Sequence, residues 1–294
     1  MSIEITTTFV NKYNANLEFL SQQMQSRFRG AVEIEDARGS EGARVVNQIG
    51  KVDAIKRTTR HADTPRIDTP HDARWCYPED YEISDLIDRQ DVIRTIIEPT
   101  SRYAKNFAMA MLRAQDDEII AAFFSQITKT GKTGATVTPW NTFTAANAGH
   151  KVTAASGMTV EALRAAKEAL EAAEVDIEID PLYIAISAKQ HRTLLSETQA
   201  ISLDYNEIPV LVKGRISNFM GFNFIHSERL ELAGSDRRCP AWAKSGMNLC
   251  IWEDVRGEIS RESTKSYATQ VYCSTTIGAT RTEEVKVVEI LCAE

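Results

Sequence analysis

Apolar positions along this chain fall into two periods, and the longest run belongs to the helical one. From Thr100 to Gln126, Tyr103, Phe107, Ala110, Met111, Ala114, Ile120 and Phe124 recur at spacings near three, four and seven, with no Gly or Pro between them. The pattern predicts a helix over about 100–126, roughly 40 Å long at about 1.5 Å per residue. Pro99 bounds it, Thr100 or Ser101 can cap its start, and Lys129 suits its negative end before Gly131 and Gly134 release the chain. Asp116, Asp117 and Glu118 lie mid-helix, where three successive side chains fan apart instead of converging. They read as solvated or interface carboxylates rather than a catalytic pair.

A second amphipathic helix is predicted over 9–28, with Phe9, Tyr13, Leu17, Leu20, Met24 and Phe28 on one stripe. The following residues give it no local partner, so it reads as an arm lying on another part of the fold or on another subunit. A third helix begins after Thr159, with Val160, Leu163, Ala166 and Leu170 inward and Pro181 as its stop. LYIAIS then reads as a buried strand, AKQHRTLLSE as a short helix, and the segment around Gly214 and Gly221 as a hairpin. From Met247 the period is that of strands: MNLCIWEDV, EISRES, ATQVYCSTTIGATR and EEVKVVEIL, the last expected to pair centrally beside the long helix. The whole is of α+β class with an α/β portion inside it.

Residues 51–74 follow neither period. Lys51, Lys56, Arg57, Arg60, Arg66 and Arg74 mix with Asp53, Asp63, Asp68 and Asp72, two His and two Pro, and almost nothing apolar. Such a segment makes no core of its own. VVNQI before it and RWCYPEDYEI after it are strand-like, so the segment reads as the tip of a long two-armed hairpin that docks on a neighbour through ion pairs. The plainer alternative is a surface loop.

Composition narrows the function. A chain of 294 residues, 43% hydrophobic, can bury a sizeable core, and it holds no apolar run of transmembrane length. The start MSIEITTTFVNKY lacks a signal-peptide profile, which implies a protein kept in a cytoplasm. Five scattered cysteines without CxxC spacing point to small buried residues rather than disulfides or zinc. A net charge of -7 argues against tight binding of nucleic acid but suits a wall that encloses it without holding it. Gly131, Lys132 and Thr133 lack the earlier glycine of a phosphate loop, since that position is Gln126. His61 with Asp63 and His71 with Asp72 lack a third spaced ligand, and His191 and His226 stand apart from any nucleophile motif. No cofactor or metal is expected.

The order of elements resembles the major capsid proteins of tailed bacteriophages, which share the Hong Kong 97-type capsid fold. The phrases IDRQDV, PTSRYAKNFAMAMLRAQDDEII, LYIAISAKQHRTLL, GRISNFMGFNFIHSERL and IGATRTEEVKVVEI carry the resemblance, in that order, from about Val45 to Glu289. It implies an N-terminal arm over 1–50, an extended loop over 51–86, a peripheral domain over 87–133 and 248–294 around the spine helix, and an axial domain over 134–247. It also implies self-assembly into hexamers and pentamers of an icosahedral shell around double-stranded DNA, built in the host cytoplasm. The chain has no room for a fused scaffolding segment of about a hundred residues, which implies a separate scaffolding protein or a mature form; a portal and decoration proteins are the other partners that the resemblance implies. Lys56, Arg57, Arg60, Asp63, Arg66, Asp68, Asp72 and Arg74 of the loop, with Phe9, Tyr13 and Leu17 of the arm, are the expected inter-subunit contacts. The alternatives are a bacterial nanocompartment shell of the same fold and a cytoplasmic α/β enzyme with a site built from His191, His226 and scattered carboxylates.

Overall fold

The computed structural model describes residues 21–57, 64, 66–88, 99–128, 137–138, 140, 150–197 and 216–294. In chain order its elements are β1 (Glu33–Asp36), β2 (Ala43–Ile49), β3 (His71–Cys76), β4 (Glu79–Ile87), α1 (Pro99–Phe124), β5 (Ile127–Thr128), β6 (Val137–Thr138), β7 (Lys151–Ala154), α2 (Val160–Ala172) and β8 (Leu182–Ile186). They continue with α3 (Ala188–Ser196), β9 (Asn218–Phe219), β10 (Phe222–His226), β11 (Leu232–Ala233), β12 (Asp236–Ala243), β13 (Met247–Glu262), β14 (Ala268–Arg281) and β15 (Val287–Ala293).

The expected long helix is α1. It starts on Pro99, a position where the missing N-H costs no hydrogen bond. Its end is held from a distance: Arg281 on β14 donates to the carbonyls of Ala122 at 3.0 Å and Ser125 at 2.8 Å, and also to that of Phe123. Lys129, expected at this pole, lies outside the described residues. Phe107 and Met111 pack against Ile87, Val271 and Cys273, so the apolar stripe does lie on the C-terminal strands. Towards its end the helix is buried more widely than one stripe, with Ile119, Ala122 and Phe123 also inside.

Three sheets surround this helix. The first runs β1-β13-β14-β4, with β1 parallel to β13 and the other pairs antiparallel. MNLCIWEDV and EISRES are one continuous strand, β13, whose register shifts between Ile251, Glu253 and Arg256. The second sheet runs β7-β15-β12-β8-β10-β9, with β11 on β12. The third is β2-β3-β5-β6.

The C-terminal strand departs from expectation. β15 pairs centrally, but between β7 and β12 of the seven-stranded sheet rather than beside α1. Its pattern is nearly all buried, as a strand covered on both faces requires. Residues 248–294 therefore do not stay with the spine sheet, since the last strand returns to the seven-stranded sheet. α2 also ends sooner than Pro181: Ala172 is its last residue, and Glu174 just beyond adopts a left-handed φ of 58°. Its cap and face are as expected, with Thr159 accepting from Ala162 N and Val160, Leu163, Ala166 and Leu170 buried.

The main core joins the two larger sheets around Trp242, which contacts Phe28, Phe123 and Tyr183 at ring-centroid distances of 6.0, 4.5 and 5.9 Å. All five cysteines are buried and unbridged. No described helix is long and apolar enough to cross a membrane.

Candidate functional site

The hairpin expected around the charged segment forms from β2 and β3, paired antiparallel with Ile49 opposite His71 and Gln48 opposite Asp72. Gly50 N donates to Pro70 O at 2.8 Å and closes the ladder. The return arm is shorter than expected. It ends at Cys76, and β4 leaves to join the spine sheet, so 51–86 is not a single hairpin.

Beyond the ladder, the described residues of 51–70 carry no helix or strand. Lys56, Arg57, Arg66 and Asp68 are exposed there, while Arg60 and Asp63 lie outside the described residues. The few aliphatic residues also face outward. Ile49 is 68% exposed and Ile55 62%, with Val52 and Ile67 alongside. Counting polar residues in the sequence hid this exposed apolar set.

Arg74 is corrected by the structure. Its guanidinium is buried between Asp72 at 2.6 Å and Glu284 at 3.0 Å, at the base of the hairpin. Arg74 is thus occupied within its own chain, and with it the Asp72 oxygen it binds. A buried, doubly paired arginine stiffens the base on which the tip projects. The base also touches the axial portion through Lys51 and Glu174, an exposed pair at 2.6 Å.

The arm's hydrophobic candidates Phe9, Tyr13 and Leu17 lie outside the described residues. Its root does not follow the predicted helix: residues 21–28 form no helix, and only a short 3-10 turn follows at Arg29–Ala31. What holds the root is α1. Asp116 is 0% exposed and accepts from Ser26 Oγ at 2.5 Å, Arg27 N at 2.9 Å, Phe28 N at 3.2 Å and Gln23 Nε2. Arg29 forms a two-pronged pair with Asp254 at 2.8 and 3.0 Å, which holds that carboxyl down at about 2. Trp242 Nε1 donates to Ala31 O at 2.9 Å.

The neighbouring carboxylates serve other layers. Asp117 pairs with Arg229 of the loop between β10 and β11. Glu118 accepts from Tyr81 on β4 at 2.8 Å, and burial raises the pKa of its carboxyl. The triplet fans out as expected: Asp116 is buried, Asp117 and Glu118 are partly exposed, and each binds a partner within the chain.

Of the residues suggesting chemistry, His191 and His226 do come together. Their rings meet edge to face at 4.5 Å, and both address Ile216: its N donates to His191 Nε2 at 3.4 Å and its O faces His226 Nε2 at 3.4 Å. They hold the chain entering β9. A cleft of about 1010 Å³ lies elsewhere, lined by Ile34, Glu35, Ile179, Lys244 and Lys286 among others, and neither histidine lines it. No group of three metal-ligating side chains occurs among the described residues. Gly131, Lys132, Thr133 and His61 lie outside them. His71 is exposed on β3.

The strongest features of this geometry are the exposed hairpin and the root of the arm held on α1 by Asp116. A sequence model of a family described as phage capsid protein matches residues 5–294. No curated protein sequence matches the chain. Among solved structures, the capsid of cyanophage P-SCSP1u is similar over 97% of this chain and 93% of its own, with 13% identity and a TM-score of 0.74. The capsid of cyanophage Pam1 covers 96% of both chains with 12% identity and a TM-score of 0.72. The capsid of the native GTA particle covers 100% of this chain and 99% of its own, with 12% identity and a TM-score of 0.67. These likenesses establish the expected α+β capsid fold and leave the nanocompartment alternative without support. With its sequence matched over almost its full length and its fold shared with tailed-phage shells, the chain belongs to the phage capsid protein family.

Proposed function

We propose that this protein is the major capsid protein of a tailed phage, assembling into hexamers and pentamers of an icosahedral shell that encloses double-stranded DNA. It is a structural protein and not an enzyme. The observation that carries the reading is the hairpin: Ile49, Val52, Ile55 and Ile67 lie exposed in the same stretch as Lys56, Arg57 and Arg66, and none of the four aliphatics is covered among the described residues. Exposed aliphatics grouped on one protrusion mark a surface that another molecule covers. In a shell the covering molecule is a second copy.

In this reading the tip of the extended loop over 51–86, with Lys56, Arg57, Arg60, Asp63, Arg66 and Asp68, docks on a neighbour, and Phe9, Tyr13 and Leu17 of the arm do the same. The spine helix with β13 and β14 is the peripheral domain, and 134–247 with the returning β15 is the axial one. Many modest contacts then sum to a stable shell. The acidic chain repels the DNA it contains and reads no sequence in it. Partners are copies of itself, a separate scaffolding protein, a portal and decoration proteins, with no membrane. Assembly takes place in the host cytoplasm and the product is the virion capsid.

Reversing Arg57, Arg60 and Arg66 to Glu together tests the docking role. Sedimentation is expected to show shells lost while circular dichroism stays that of the parent; normal shells from the triple variant would remove the tip from the interface. Nuclease-protected DNA inside particles from infected cells is expected, and an enzyme cargo in its place would contradict the reading.

A further inference from the structure

Asp116 binds an unusual set of partners for a fully buried carboxylate. Four donors reach it, from Gln23, Ser26, Arg27 and Phe28, all within one six-residue stretch that has neither helix nor ladder to satisfy its own N-H groups. A carboxylate has only acceptor sites, enough for about four donors at once. One side chain of α1 thereby takes the place of secondary structure for the root of the arm.

The contacts on either side give the stretch a direction. Phe28 meets Phe123 at 6.4 Å, and Arg113 donates to Gln22 Oε1 at 2.8 Å and Gln23 O at 3.0 Å. Gln22 Nε2 donates to Asn106 Oδ1 at 3.0 Å. As the arm is followed backwards from Phe28 to Gln22, its partners on α1 move from Phe123 through Asp116 and Arg113 to Asn106. That is roughly 25 Å of helix at about 1.5 Å per residue, against about 20 Å for a fully extended chain over the same arm residues. The root is drawn out along the helix, parallel to it, and Asp116 sits at the middle of the run.

We infer that Asp116 is a positioning residue for assembly: it fixes the register of the arm's root on the spine, with Gln22 held at Asn106. The assembly half of this inference rests on the arm being a contact between copies. The register half stands without it. An Asn at this position offers an N-H to facing N-H groups, so it should open the contact although its shape is nearly kept.

Trypsin reads the register directly, because Arg27 and Arg29 lie in the held stretch, where Arg27 donates to His226 O and Arg29 is paired with Asp254. In Asp116→Asn, cleavage after Arg27 and Arg29 is expected to rise tenfold or more while cleavage elsewhere and the circular dichroism stay unchanged. In the gentler double variant Gln23→Ala with Ser26→Ala, which keeps the carboxylate and the two backbone donors, the rise should be a few-fold. Unchanged cleavage at the two arginines, or a rise spread evenly over the chain, would overturn the positioning role. Shell formation is then measured on the same Asp116→Asn protein. Loss of shells with a released arm supports the assembly half, and normal shells with a released arm would overturn that half alone.

Discussion

Arg281 puts a charge where the interior offers no carboxylate at hydrogen-bonding distance. It is buried, its pKa is pushed down to about 10 mainly by that burial, and its hydrogen bonds go to the free carbonyls ending α1. Those carbonyls carry the negative pole of a 26-residue helix, which suits a cation. In Arg281→Met the carbonyls lose their partner without gaining water, so unfolding stability should fall by about 3 kcal/mol in a denaturant titration. Nothing in GATR distinguished this arginine beforehand, because its partner lies more than 150 residues away. Arg74 was missed for the same reason: a basic residue in a charged stretch looks solvated until Glu284 arrives from the far end of the chain. Glu118 is the opposite case to a paired carboxylate. Its folded pKa is raised above its ordinary 4.5, so its ionised form costs stability, and that cost grows as pH rises through the raised value. Glu118→Gln, which keeps an acceptor for Tyr81, should therefore raise the urea midpoint at pH 7 and lose that advantage below pH 4.5. A lower midpoint at pH 7 would contradict the assignment.

At the scale of elements, legibility followed the range of the forces involved. α1, β8 and α3 are local patterns and stand where periodicity placed them, and α2 starts on its expected Thr159 cap although it ends at Ala172. The hairpin was legible from its flanking strands, with Ile49 opposite His71. Sheet membership was not: β15 looks like any buried strand, and only tertiary pairing sends it to β12 instead of β13. The root of the arm has a helical stripe in sequence, yet its Phe28 is better buried against Trp242 and Phe123 than on a helix face. The junction of the hairpin with the spine sheet depends on one small residue. Gly278 on β14 lies against Tyr77 O, and an added Cβ there would also stand 2.8 Å from Cys76 Sγ. Backbone cannot yield as a side chain can, so Gly278→Ala should cost about 1–3 kcal/mol. Because the clash lies where β3 turns into β4, it should also loosen the hairpin base, read as faster hydrogen exchange in β3.

For the whole molecule, the division is between a body that satisfies itself and projections that do not. Buried arginines, the three spine carboxylates and the Trp242 core are all spent within the chain. Among the described residues the hairpin tip leaves Ile49, Val52, Ile55 and Ile67 exposed, and Asp116 clamps the root of the arm on the spine. Such a molecule gains by meeting copies of itself, and its family is one of shell proteins. The enzyme alternative drew on His191 and His226, and those rings do meet, but outside the cleft lined by Ile34 and Lys244 and engaged with the backbone of Ile216. The central claim is that this chain builds a closed shell. Electron microscopy of the chain, produced alone and with the scaffolding protein proposed as its partner, tests it most directly: closed icosahedral particles with five- and six-fold rings are predicted, and a field of well-dispersed monomers under both conditions would contradict it.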